Sequence, residues 1–253
     1  MPYGAKDYVI EISRGGVANA KPMGSFGERA ALAGESNRVI WPNGVFSLPA
    51  ATGVQMTIVS TSANDDVDAG TGIRTIEMHY LDANLAERHE VIELQGLTSV
   101  LTDAIDIRFI QCMHVQTYGA VPATAAGNIT AKNAGITYSQ ISAGDLRCTS
   151  SARMVPADRY LFVAGAIGSA VSGTAAAKAQ IRIAATELDE HQYLDPFILI
   201  PFGTIGVQDL SEAYTFPVPL RFSPGTVVAM TVTTDKDANV SGSWFGWLEE
   251  VEG

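Results

Sequence analysis

The sequence predicts an all-β protein: antiparallel β-sandwich, jelly-roll-like units behind an extended N-terminal arm. Three observations predict it. Strand-like runs recur roughly every 8–12 residues, with Gly, Pro, Asn and Asp between them. Within the runs apolar and polar residues alternate with a period of two, and no apolar stripe at helical spacing is long enough to compel a helix. The 253-residue chain is 47% hydrophobic, only 17% charged and contains 24 glycines. It can therefore bury a sizeable core and turn often.

Residues 1–35 differ from the rest. "YVIEI", Tyr8–Ile12, is a short strand candidate. The Gly-, Ala- and Pro-rich run after it has no sustained period and reads as an arm that is either flexible or ordered against a partner. From Asn37 the strand signals are regular. Pro42-Asn43-Gly44 marks a turn between apolar runs, and "VQMTIVSTS" puts Val54, Met56, Ile58 and Ser60 on one face. After an acidic loop, "IRTIEMHYL" directs Ile76, Met78 and Tyr80 one way and Glu77 and His79 the other. "LDANLAE" turns the chain, and "RHEVIELQG" returns with Ile92 and Leu94 inward: a hairpin with one buried face. In "IDIRFIQCMHVQTYG", Ile105, Ile107, Phe109, Met113 and Val115 share one parity. Two short strands flank the "KNAG" turn. The second half continues with "RYLFVAGAIGSAV", with Ile181 and Ile183 alternating with Gln180 and Arg182, and with turns at Ser223–Gly225 and Asp235–Asn239. These signals suggest a β-rich domain over 36–135 and a β-sandwich over 136–253, with the boundary in "AAGNITAKNAG"; the alternative is one larger sandwich to which that boundary is internal.

Charge and composition exclude several functions. Lys and Arg number 16 against 27 Asp and Glu, a net charge of −11, and no basic run occurs. A general phosphate-binding face is not expected, hence no nucleic acid. The N-terminus lacks the apolar region of a signal peptide, and no apolar run has transmembrane length, so no membrane partner is expected.

The acidic loop, "TSANDDVDAGTGIRTIEMHYLD" from Thr61, invites a metal reading. An EF-hand with Asn64, Asp66 and Asp68 in its first ligand positions would have Ala69 where Gly belongs and Thr75 where the bidentate Glu belongs. "AGTG" is too short for a phosphate loop and lacks its Lys. Asp65, Asp66 and Asp68 therefore read as solvated connection residues, and Gly70 and Gly72 as sources of φ freedom. A non-standard cation site at these three aspartates stays open. Of the histidines, His79, His89 and His114 can meet near Glu77 on a sheet face, a zinc-like donor set. They also occupy the polar parity of half-exposed strands, and that reading is preferred. No G-x-S-x-G elbow occurs. Glu187, Asp189 and Glu190 form the densest carboxylate cluster, in a segment that reads as an exposed connection. Cys112 and Cys148 fit no zinc spacing, and Cys112 reads as a buried free thiol. Trp41, Trp244, Trp247, Tyr118 and Tyr138 are either core or a sugar-stacking platform. No catalytic, cofactor-binding or metal-binding residue is assigned, and the expected protein is not an enzyme. A carbohydrate-active enzyme is the weakest reading.

The stretch Val54–Val100 resembles virion structural proteins of tailed, often marine, bacteriophages. The resemblance is carried by Ser60–Ser62, Asn64-Asp65 with Ala69–Gly72, Arg74-Thr75, Leu81–Ala83 and Glu90–Gly96. Gly127–Thr130, Met154–Val163 and the closing "VSGSWFGWLEE" extend it over most of residues 37–253. It implies a β-rich particle component with no catalytic residues to carry over. The expected role is a capsid decoration or cement protein on the outer head surface. The alternative is a tail- or fibre-associated receptor-binding module that contacts glycans. Expected partners are the major capsid protein or other virion proteins, with a homotrimer favoured. The expected location is the virion, assembled in the host cytoplasm.

Overall fold

The computed structural model describes residues 7–32, 37–43, 45–68, 70–120, 124–172, 179–186, 210–235 and 237–251. The fold is almost entirely antiparallel β-sheet, as the periodicity predicts, and it divides into two compact units. One comprises the described residues up to Ile40 together with those from Ser151 onward; the other is Trp41–Ser150.

The first unit is a two-sheet sandwich. One sheet has the order β1 (Ala20–Leu32), β15 (Ala238–Glu250), β11 (Arg159–Ser172) and β13 (Leu210–Phe222). The other runs β10 (Arg153–Met154), β14 (Val227–Thr234) and β12 (Ala179–Thr186), and β2 (Arg38–Val39) also pairs with β14. Strands adjacent in sequence fall in opposite sheets, while the first and last strands lie side by side. That is the connectivity of a jelly roll. The core between the sheets is built from alternate residues of each: Leu161, Val163, Trp244 and Leu248 against Ile181, Ile183, Met230 and Val232. The predicted alternation of Ile181 and Ile183 with Gln180 and Arg182 holds.

The second unit is inserted between β2 and β10. It contains a four-stranded sheet, β6 (Val100–Leu101), β3 (Thr57–Ser60), β8 (Ile129–Asn133) and β9 (Ile136–Ile141). A three-stranded sheet, β5 (Glu87–Glu93), β4 (Ile73–Leu81) and β7 (Phe109–Tyr118), completes it. Met56, Ile58, Ile129 and Ala131 pack with Ile76, Met78, Ile92 and Met113 in one core. As expected, Ile76, Met78 and Tyr80 point inward and Glu77 and His79 outward.

Four expectations change. The segment over 1–35 is not a separate arm where it is described, because β1 forms an unbroken ladder with β15 from Ala20↔Glu249 to Arg29↔Val240. Residues Asp7–Ser13 form a helix, α1, rather than a strand. Tyr8, Ile10 and Ile12 share a strand parity, but Tyr8 and Ile12 are also one helical turn apart. Ile12 is buried and Ile10 is 47% exposed, which is the helical outcome. The boundary near 135–136 is displaced because it would cut the β8–β9 hairpin, and because β1 and β2 pair with C-terminal strands. Finally, the long period in 105–118 is interrupted. Cys112 faces His79 but Ile110 faces Tyr80, so Gln111 is an extra residue, a bulge. The bulge turns Ile110 inward; Ile105, ahead of the strand, is 70% exposed. Among the described residues, no helix is long and apolar enough to cross a membrane.

The insertion leaves and returns at one clamp. Ile40 N donates to Met230 O (2.9 Å) and Ser151 N to Ile40 O (3.1 Å). Ser151 Oγ donates to Met230 O (2.9 Å) and accepts from Met230 N (3.2 Å). The buried Trp244 indole donates to Ser151 O at 2.9 Å. Ser151→Ala removes both hydroxyl bonds; Met230 O keeps its bond from Ile40 N while Met230 N loses its Ser151 acceptor, so urea unfolding should show a loss of about 1–3 kcal/mol with an unchanged m-value.

Helix α1 is pinned by Tyr8, whose hydroxyl donates to Glu249 Oε1 at 2.7 Å and whose ring meets Trp247 edge-on. The hydrogen bond to Glu249, with burial, pushes the phenol up to about 12. Because the folded value is the raised one, this contact stabilises fully below the ordinary tyrosine range and is lost as pH rises through about 12. Ultraviolet titration should show a late phenolate phase that Tyr8→Phe removes, while the phenols of Tyr80 and Tyr138, raised mainly by burial, persist.

Candidate functional site

The acidic loop is built around one buried carboxylate. Asp65 is fully buried. Its Oδ1 accepts from Ile73 N and Ala126 N, both at 2.9 Å. Its Oδ2 accepts from Ser60 Oγ at 2.6 Å and Gly127 N at 2.9 Å. Its carbonyl accepts from Gly96 N at 2.8 Å, and Gly96 in turn accepts from Ser60 N at 3.1 Å. The Asp65 side chain thus joins the end of β3, the start of β4 and the loop before β8, and its carbonyl adds the loop after β5. The expectation that Asp65 is solvated is corrected: both of its oxygens are saturated by protein donors, so it is a structural knot and no cation ligand. Asp66 receives the Asp68 N–H at 2.9 Å in an Asx turn, and Asp68 is exposed.

The role of the glycines is corrected too. Neither Gly70 nor Gly72 has positive φ. What they supply is room: a Cβ on Gly72 would stand 2.3 Å from Asp65 Oδ1, and one on Gly70 would stand 2.3 Å from Asn64 O. Sequence reading missed Ala126 and Gly127 as partners of Asp65. They lie about 60 residues away, and backbone donors leave no trace in residue type.

The functional side chains that do converge lie on the outer face of the β5-β4-β7 sheet. The register sets His89, His79 and Cys112 in one row and Val91, Glu77 and His114 in the next. Alternation along each strand gives all six the same parity, though the Cys112 side chain packs against the core beside the buried Cys148. Glu77 is the centre: His79 Nε2 lies 3.2 Å from its Oε1 and His114 Nε2 lies 3.3 Å from its Oε2. The His79 and His114 rings stack with centroids 5.3 Å apart, and His89 flanks His79 at 6.0 Å. Glu77, His79 and His114 are the one group of three metal-ligating side chains among the described residues, with ligand atoms all within 4.8 Å of one another. The sequence reading named these residues; the structure supplies the register that joins Glu77, His79 and His114 and leaves His89 to one side.

The thiols converge as well. Cys148 is buried and Cys112 half-buried, with Sγ atoms 3.4 Å apart. Cys112 Sγ donates to Met113 O, and Cys148 Sγ accepts from Met113 N. The aromatics divide mostly as core residues, the first of the two readings of the sequence. Trp41, Trp244 and Trp247 are all buried, Trp41 against Phe46 and Trp247 stacked on Phe162; Tyr138 is half-buried and Tyr118 exposed. Glu187, Asp189, Glu190 and His191 lie outside the described residues.

No family model matches this chain, and no curated protein matches it. Among solved structures it is similar to the infectious bursal disease virus VP2 subviral particle, at 10% identity over 92% of this chain and 72% of that one, with a TM-score of 0.27. It is similar to the Gx strain of the same virus at 8% identity over 91% and 71%, with a TM-score of 0.26. It is also similar to an Arthrobacter globiformis T6 isomalto-dextranase complexed with panose, at 10% identity and a TM-score of 0.26. That match covers 78% of this chain, which spans about a third of the dextranase, 33%.

Asp65→Asn should be severely destabilising, because an amide would turn an N–H toward backbone donors. Chemical denaturation should show a loss upward of about 3 kcal/mol, whereas Asp68→Asn, on the exposed turn, should stay within about 0.5 kcal/mol.

Proposed function

We propose that this protein is a structural component of a bacteriophage virion, a decoration or cement protein of the outer head surface. The observation that carries the reading is how the protein uses the residues by which it resembles that family. Ser60, Asp65, Gly72 and Gly96 meet in the buried knot. Asp82 closes the β4–β5 turn by accepting from Asn84 N, Ala86 N and Arg88 Nε. Glu90 accepts from Asp103 N and Ala104 N, holding the connection ahead of β7. The motif therefore works as a set of fasteners for a rigid β unit, which suits a protein whose task is to persist on a particle. A jelly roll also serves lectins and cupins, so the architecture supports the role without dictating it. The burial of the three tryptophans weighs against the glycan-binding alternative, which is left with Tyr118 as its exposed aromatic among the five named.

The partner on this reading is the major capsid protein, and the assembled form is a trimer, since closed symmetric contacts match a capsid lattice. The role assigns catalysis to no residue. Immunogold labelling of purified particles of the phage that encodes the chain should decorate heads. Light scattering of the free protein should give three copies per assembly. Label confined to tails or fibres would overturn the head assignment, and particles free of the protein would overturn the virion role.

A further inference from the structure

We propose that Glu77, His79 and His114 bind a divalent cation of the zinc class on the exposed face of the β5-β4-β7 sheet. The inference is independent of the virion role. It starts from the ladder. Glu77 and His79 are two residues apart on β4 and so share a face. His114 lies directly opposite Glu77 on β7. Cβ atoms of such opposed residues stand about 5 Å apart, which lets a carboxylate and an imidazole meet end to end.

The distances suit the chemistry. Two donors bound to one tetrahedral zinc at about 2.0–2.1 Å stand about 3.3 Å from each other. Here each imidazole Nε2 is 3.2 or 3.3 Å from a Glu77 oxygen, and the three ligand atoms fit within 4.8 Å. Both imidazoles present the same nitrogen toward the carboxylate, as shared ligands would. Their side chains are 47% and 39% exposed, so a small ring rotation closes the site without disturbing the core. Two imidazoles and one carboxylate select zinc, or cobalt in its place, over calcium and magnesium, which require oxygen ligands. Three protein ligands leave a fourth position open to water.

Two neighbouring groups stand outside the set. Cys112, opposite His79, has its thiol bonded to Met113 O, and His89 stands beyond His79 from His114. Neither belongs to the ligand set.

The test is calorimetric titration of zinc chloride into the intact, chelator-treated protein, with cobalt absorption reporting geometry. Saturable binding of one zinc per chain and a tetrahedral cobalt spectrum are expected. His114→Ala and Glu77→Gln should each weaken binding at least about tenfold. His89→Ala should leave it unchanged. Circular dichroism of the metal-free variants should match the parent, since the side chains lie outside the core. Absence of saturable binding overturns the proposal. So does binding that survives both substitutions, binding lost with His89→Ala, or zinc displaced by equimolar calcium.

Discussion

A chain that leaves a sheet to build a second unit must come back where it left, and here Ser151 enforces the return. Its main-chain N–H is tied to Ile40, the last residue before the excursion, and its hydroxyl both donates to and accepts from Met230. Trp244 seals the arrangement by donating to the Ser151 carbonyl from the middle of the jelly-roll core. The register of β14 with β2 and β10 depends on this point. So does the jelly-roll order, because the first two strands must find partners among the last two across more than half the chain. Such non-local pairing carries a loop-closure cost that local hairpins avoid. A saturated hydrogen-bond cluster next to a large buried aromatic is one device that offsets it.

The inserted unit is organised differently. Beside the ladder of β5, β4 and β7, the unit has a second sheet of shorter strands, and the connections between them are fastened by side chains in the loops. Asp65 does this by giving all its acceptor capacity to donors from four segments. A buried carboxylate costs several kcal/mol to desolvate, and only near-complete hydrogen bonding offsets that. The glycines beside it follow from the same demand. With backbone packed that close to the carboxylate, Gly72 has no space for a side chain.

Much of the architecture was legible because period and turn chemistry are local. The β4–β5 hairpin, the inward set Ile76, Met78 and Tyr80, and the Asn-Ala-Gly turn, with Ala134 and Gly135 both at positive φ, follow from a few neighbouring residues each. What was not legible was either ambiguous locally or decided at a distance. "YVIEI" satisfies a strand and a helical turn equally, and the choice falls to packing against Trp247. The bulge at Gln111 inverts the parity of β7 with no residue type to announce it. The N-terminal strand looks structureless until its partner, over two hundred residues later, is known. Asp65 looked like its solvated neighbours because an acidic residue in a turn reads the same whether it faces water or four N–H and O–H donors.

The same distinction separates the two acidic clusters, Asp65 in the loop and Glu77 on the sheet. Both are acidic residues among polar neighbours on one unit, and their fates diverge with burial. At Asp65 the donors are three backbone N–H groups and the buried Ser60 hydroxyl, and both oxygens are taken. At Glu77 the partners are imidazoles on a solvent-facing ladder, held near each other by register yet free to rotate. A carboxylate enclosed by main-chain N–H groups specifies structure; a carboxylate shared by two half-exposed histidines keeps its valence open. Sequence alone weighted the loop and the sheet alike as candidate sites. Register and burial separate the two, and they do so through the pairing of Glu77 with His114, the one contact that strand order had to supply.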